Sequence, residues 1–368
     1  MIELNNKTPG QSDVILDVDN LTVGFSTEDG VVRAVRGVSY QLRRGDALGI
    51  VGESGSGKSV TSLAIMGLLP KSAQITGSAK FMGEELLGKS DDAMSKVRGN
   101  KIAMIFQDPL TSLNPVYNVG RQIAEAVLAH HDVSKQSALD RAVELLGIVG
   151  IPHPKQRVSA YPHELSGGMR QRVVIAIAMA NNPDVIIADE PTTALDVTVQ
   201  AQVLEALEAA RAETGAALVL ITHDLGVIAG HADRVLVMYA GKLVESGTVD
   251  EIFYAPRMPY ALGLLGSLPR MDQGRSQQLT PISGSPPSLL HLPPGCPFTP
   301  RCPIAEDICA HEEPELTAVN GGPHSAACHF SNRLEGAKPG DLFAASSDVL
   351  EAPAALEELA AEVPLEQE

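Results

Sequence analysis

The sequence predicts an α/β fold: a parallel-sheet core carrying an N-terminal antiparallel β region, an inserted helical subdomain and a small Cys-rich C-terminal region. Three observations predict it. Runs that are apolar but for an end residue, at residues 47–51, 184–188 and 217–222, alternate with helical segments, and strands without polar alternation are those buried on both faces of a parallel sheet. Residues 117–165 interrupt the alternation with helical periodicity. After about Ala255 the composition shifts to Pro, Gly and Ser with weak periodicity, which marks a boundary.

Taken in order, residues 14–51 read as five short strands: VILDV, LTVGF, VVRAV, VSYQL and ALGIV. Asp, Asn, Gly and Arg-Gly turn signals separate them. A helix is expected from Lys58 to about Leu69, stopped by Pro70. Helical spacing then appears in Ile123, Val127 and Leu128, and again in Leu139, Val143, Leu146 and Ile148. Next come a helix from about Ser166, the strand 184–188, a helix over 199–213 and the strand 217–222. The domains expected are residues 1–255 with the helical subdomain at about 108–172, then 256–334, then an acidic tail at 335–368. No internal repeat is visible, so a single unit, not a tandem, is expected.

Composition limits the function. Apolar residues make up 44% of 368, Trp is absent and aromatics are 4%, so the core must be aliphatic. Lys and Arg number 28 against 45 Asp and Glu, a net charge of −17, which argues against a phosphate-neutralising nucleic-acid surface. The tail from Glu335 holds nine acids and one Lys, and reads as disordered and solvated. No run approaches the ~20 apolar residues that span a bilayer, and MIELNNKTPG lacks a signal pattern. A cytosolic chain is expected, with any membrane spans supplied by partners.

Gly52-Glu53-Ser54-Gly55-Ser56-Gly57-Lys58-Ser59 matches GxxxxGK[ST], directly after ALGIV and at the start of a helix. Glycines let the backbone curl so that successive N–H groups point at phosphate oxygens, and the helix N-terminus adds partial positive charge. Lys58 is expected on the β- and γ-phosphates and the Ser59 hydroxyl on Mg²⁺. This makes the core a P-loop NTPase (RecA-like) fold, with a nucleoside triphosphate as its expected ligand. Asp189 and Glu190 end an apolar strand, where ligand sites of such sheets lie. Asp189 suits the Mg²⁺ shell and Glu190 a general base for the attacking water. His223 follows another apolar strand and is expected at the γ-phosphate.

Leu165-Ser166-Gly167-Gly168-Met169-Arg170-Gln171 resembles the signature motif of ABC ATPases. With the P-loop, Asp189-Glu190 and His223, the resemblance covers residues 14–250. It implies that Ser166, Gly167 and Gly168 close over ATP held by a second nucleotide-binding domain. It also implies Gln107 as the Q-loop glutamine at the γ-phosphate and Mg²⁺, Ala194-Leu195-Asp196 as the D-loop, and Phe25 as the aromatic against adenine; the alternative for Phe25 is a core residue on a strand. Val60 completes the phosphate turn. Within the family the chain is similar to ATP-binding subunits of dipeptide and oligopeptide importers, on FQDPLTSLNP, LSGGMRQR and APRMPYALGLLGSLP. Met169, Met258 and Ala261 depart from the usual Gln, His and Thr. The resemblance implies a transport-coupled ATPase at the cytoplasmic face, partnered by a sister ATPase subunit, two permeases and an extracytoplasmic solute-binding protein. Importers of nickel, glutathione or oligosaccharides, and a soluble non-transport ATPase, are the alternatives.

Cys296, Cys302, Cys309 and Cys328 follow C-x5-C-x6-C-x18-C. A reducing compartment favours metal ligation over disulfides. Relatives of this type carry a similar cluster, which implies a [4Fe–4S] centre. Zinc remains open through His291, His324 and His329, as do free or disulfide-bonded cysteines.

Overall fold

The computed structural model describes residues 13–193, 195–268 and 280–343, with the side chain of Leu110 left aside. Ala194 and residues 344–368 of the expected acidic tail therefore lie outside the described residues, as does the whole of MIELNNKTPG.

Among the described residues, twelve strands form two sheets. They are β1 (Val14–Thr27), β2 (Gly30–Arg43), β3 (Ala47–Val51), β4 (Ala73–Phe81), β5 (Glu84–Glu85), β6 (Ile102–Ile105), β7 (Val185–Asp189), β8 (Ala217–Thr222), β9 (Arg234–Tyr239), β10 (Lys242–Thr248), β11 (Thr317–Ala318) and β12 (Ser325–Ala326). The first sheet is antiparallel, in the order β2-β1-β4-β5; the second runs β11-β12-β10-β9-β3-β8-β7-β6. β9, β3, β8, β7 and β6 are mutually parallel along that order, while β10, β12 and β11 add antiparallel pairs at one edge.

The apolar runs behave as the sequence predicts. Ile186 and Ala188 of β7 face one core and Val185 and Ile187 the other; Leu218 and Leu220 of β8 oppose Ala217, Val219 and Ile221 in the same way. The first of these cores continues into the helical insertion and the C-terminal region; the second fills the space beneath the antiparallel sheet.

Four of the five N-terminal strands merge into two. The Asp-Asn and Arg-Gly signals are bulges within long strands, not turns: the β1–β2 register shifts between Val18 and Leu21, where Asn20 has φ 45. A Cβ on Gly37, at φ 89, would stand 2.8 Å from the Asn20 side chain, so the two irregularities face each other. The first helix, Lys58–Ile65, stops short of Pro70 because Gly67 turns left-handed.

The insertion carries helices Val119–Leu128 and Lys135–Ile148, capped by Asn118 and Ser134 side chains. The first buries Ile123 and Val127 as expected. The second buries the expected Leu146, but together with Ala138, Ala142 and Leu145, and leaves Leu139 exposed. Helix Gly167–Ala178 is capped by Ser166 and helix Val197–Thr214 by Asp196.

The C-terminal region packs on the core. Ala326 of β12 pairs with Glu245 of β10, and helix Pro259–Gly266 buries Tyr260, Ala261 and Leu262. Residues 335–343, expected in the solvated tail, fold: Pro339–Leu342 is helical and Phe343 is buried against Gly263. Phe343 supplies the apolar anchor that the tail's average composition hides.

Candidate functional site

The carboxyl ends of β3, β8, β7 and β6, four adjacent parallel strands, deliver in turn the P-loop, His223, Asp189-Glu190 and Gln107. Their side chains bound a cavity of about 550 Å³ lined by Glu53, Ser54, Gly55, Gly57, Lys58, Ser59, Val60, Gln107, Glu190, His223 and Leu264. Residues up to 170 apart in sequence thus meet because crossover connections return each strand to the same edge.

Two glycines are obligatory in the P-loop. Gly52 has φ 153, and a Cβ there would stand 2.2 Å from the Met238 carbonyl oxygen; Gly57 has φ 103, and a Cβ would stand 2.4 Å from that of Ala34. Lys58 is buried, and its Nζ donates to the carbonyls of Gly52 (2.7 Å) and Glu53 (3.0 Å). Burial lowers its pKa, opposed by the charges of Glu190, Asp189 and Glu53.

Ser59 Oγ donates to Asp189 Oδ1 at 2.8 Å. Burial raises the Asp189 pKa, the Ser59 bond and Lys58 opposing it and the Glu190 charge adding to it. A hydroxyl and a buried carboxylate oxygen in contact are the hard donor pair that suits Mg²⁺. Gln107 lies in the same cavity, but its Nε2 is turned to Glu190 Oε2 at 3.2 Å.

Glu190 is the focus of the cavity wall. Its Oε2 accepts from Thr193 Oγ1 at 2.8 Å and from Gln107, and His223 Nδ1 stands 3.4 Å away. Its backbone sits at φ 48, and its amide donates to the Ile221 carbonyl at 2.9 Å. A carboxylate so oriented, 15% exposed, can order and deprotonate a water beside a phosphate bound at Lys58.

The remaining candidates lie elsewhere. Ser166 and Gly167 are exposed, away from the cavity lining; a Cβ on Gly168 would stand 2.3 Å from Val199 Cγ1, so the signature helix rests directly on helix Val197–Thr214. Phe25 is half-buried in β1, packed against the core beneath the antiparallel sheet, and does not line the cavity.

The four cysteines are free thiols around one small cavity shared with Phe298 and His329. That cavity measures about 20 Å³, room for roughly one water. Among the described residues no three His, Cys, Asp or Glu side chains are arranged to hold a metal ion. The expected [4Fe–4S] centre therefore finds no preformed site among the described residues. Desolvation pushes Cys302 to about 12 and Cys328 to about 11 and raises Cys296, so these stay neutral thiols at neutral pH. Of the histidines considered for zinc, His324 Nε2 is 2.7 Å from buried Glu245, in a separate pair.

Sequence reasoning missed Thr193, Leu264, Tyr260 and Arg301. Thr193 lies three residues from Glu190 and could have been found as a local partner. Tyr260, whose hydroxyl accepts from the Glu53 amide at 2.7 Å, and Arg301, which pairs with the Glu53 carboxylate, are over 200 residues away and carry no local signal.

A family profile described as ABC transporter matches residues 35–193, and one described as the oligopeptide/dipeptide transporter C-terminal region matches residues 244–309. An oligopeptide transport ATP-binding protein of Mycobacterium tuberculosis is 54% identical over 93% of this chain, which spans 56% of that relative's length. A dipeptide transport ATP-binding protein of Bacillus subtilis is 52% identical over 87% of this chain and 95% of its own. A solved ATP-binding cassette, dimeric and bound to ADP and Pi after hydrolysis, is 27% identical with a TM-score of 0.57, covering 64% of this chain and 98% of that one. The chain belongs to the ABC transporter family, on its oligopeptide/dipeptide branch.

Proposed function

We propose that this chain is the ATP-hydrolysing motor subunit of an importer for di- or oligopeptides. The observation that carries the reading is the gathering of Lys58, Ser59, Asp189, Glu190, Gln107 and His223 at one sheet edge. Lys58 releases the Gly52 and Glu53 carbonyls to meet β- and γ-phosphate oxygens, and the P-loop amides fix the triphosphate. Ser59 and Asp189 hold Mg²⁺, which when bound offsets charge on the β- and γ-phosphates. Glu190 takes the proton of the attacking water, while Gln107, Thr193 and His223 keep its carboxylate in place. Peptide as the cargo class rests on the names of the relatives and on the matched C-terminal region.

Ser166, Gly167 and Gly168 then serve the ATP of a second cassette, a sister subunit, since Ser166 and Gly167 are exposed and all three lie apart from this chain's own cavity. No described helix is long and apolar enough to cross a membrane; two permeases provide the passage and an extracytoplasmic binding protein the cargo, with this chain at the cytoplasmic face. A groove of about 580 Å³ beside the Gln107 segment, with Phe106 and Leu68 exposed in its wall, gives a permease an apolar place to dock. Co-purification from membranes tests the assembly. Permease chains and peptide-stimulated phosphate release are expected; full turnover without membrane partners, indifferent to peptide, would contradict the reading.

For the cysteine region the reading is a four-thiolate iron–sulfur centre that staples the C-terminal fold. Its support is the convergence of all four thiols on one cavity, which would open as cluster assembly displaces their protons. Anaerobic purification should give a brown protein with stoichiometric iron and sulfide. A colourless protein with stoichiometric zinc would overturn this.

A further inference from the structure

The P-loop is gripped from outside by the C-terminal region. Arg301, in the turn between Cys296 and Cys302, places Nη1 2.6 Å and Nη2 2.9 Å from the two carboxylate oxygens of Glu53. Its side chain is 4% exposed. Nε donates to the Ser283 carbonyl at 3.0 Å, and Nη1 also lies 3.3 Å from the Tyr239 hydroxyl. The guanidinium sits 5.9 Å from the ring centres of Tyr239 and Phe298. Every polar handle of Glu53 is engaged: carboxylate by Arg301, amide by Tyr260, carbonyl by Lys58.

Glu53 lines the cavity read above as the triphosphate site. An unpaired carboxylate there would repel a polyanion, and a mobile one would let the turn deform. We propose that Arg301 is a positioning residue for nucleotide: it neutralises Glu53 and fixes the phosphate-binding turn from the C-terminal region. A planar two-pronged donor suits both tasks, because it locks the carboxylate's orientation as it cancels its charge. Arg301 is buried and Glu53 half-buried, so the loss of one partner is felt at the other.

The proposal rests on the P-loop reading, so Lys58→Ala serves as the control. Calorimetric titration of the full chain with ATP and with ADP reads the effect. Arg301→Ala should weaken ATP on the order of tenfold, and ADP less, because repulsion grows with ligand charge. Adding Glu53→Gln to Arg301→Ala should restore most of the ATP affinity, since the repelling charge is gone. Arg301→Lys should fall between, keeping charge without the fork. Unchanged ATP affinity in Arg301→Ala, beside a weakened Lys58→Ala, would overturn the proposal. So would equal losses for ATP and ADP that Glu53→Gln fails to rescue, the mark of a purely structural role. Unchanged affinity in Lys58→Ala would instead sink the P-loop reading itself.

Discussion

Glu190 adopts a left-handed backbone conformation, at φ 48, that costs a non-glycine residue on the order of 1 kcal/mol. Thr193, Gln107 and the Ile221 carbonyl hold it there, so the strain is spent on aiming one carboxylate into the cavity. Lys58 is held with similar economy, its ammonium parked on two P-loop carbonyls. Lys58→Ala should lower ATP affinity about a hundredfold, as read by titration, because a charge-assisted contact to two phosphates disappears. Asp189 gives a pH dependence. Burial raises its pKa, so it takes up a proton at a higher pH than an ordinary aspartate and the neutral acid no longer competes for Mg²⁺. Mg²⁺-dependent ATP affinity should fall on the acid side as pH drops through that raised pKa, and Asp189→Asn should abolish this limb while weakening affinity at every pH. The P-loop, Asp189, Glu190 and His223 were legible because each chemical role is fixed by local context, a strand end or a glycine turn. Arg301 and Tyr260 were not, because a contact across 248 residues leaves no mark in spacing.

Among elements, the apolar strands of the parallel sheet were readable directly, since burial on both faces suppresses polar alternation. The N-terminal strands were misdivided because Asn20 and Gly37 satisfy a bulge as well as a turn. In helix Lys135–Ile148 the spacing of Leu139, Val143, Leu146 and Ile148 marks an apolar face, yet of these only Leu146 is fully covered, beside Ala138, Ala142 and Leu145; small side chains let the neighbouring helix approach closely, which a search for bulky residues overlooks. The same closeness sets the contact between the signature helix and helix Val197–Thr214. Gly168→Ala, placing a methyl 2.3 Å from Val199 Cγ1, should cost about 1–3 kcal/mol in chemical denaturation. Gly168→Ala with Val199→Ala should recover most of it. Equal stability of Gly168→Ala and the parent would mean the helices separate freely.

The whole molecule is tied together by its C-terminal region more than composition suggested. β12 extends the main sheet beyond β10, Tyr239, Tyr260 and Phe298 pack at tilted and edge-on angles in one aromatic cluster, and Glu245, fully buried, is satisfied by His324 and by the Arg257 and Met258 amides. His324→Ala should therefore destabilise the chain by roughly 1–3 kcal/mol in thermal or urea unfolding, since it strips a partner from a buried carboxyl. Pro, Gly and Ser content marked a boundary near Ala255, but not that the segment beyond it would return to the ATP site. The most direct test of the account is phosphate release by the assembly purified from membranes, carrying either Glu190 or Glu190→Gln. Turnover should fall by at least about a hundredfold in the variant with ATP still bound; unchanged turnover would contradict the account at its centre.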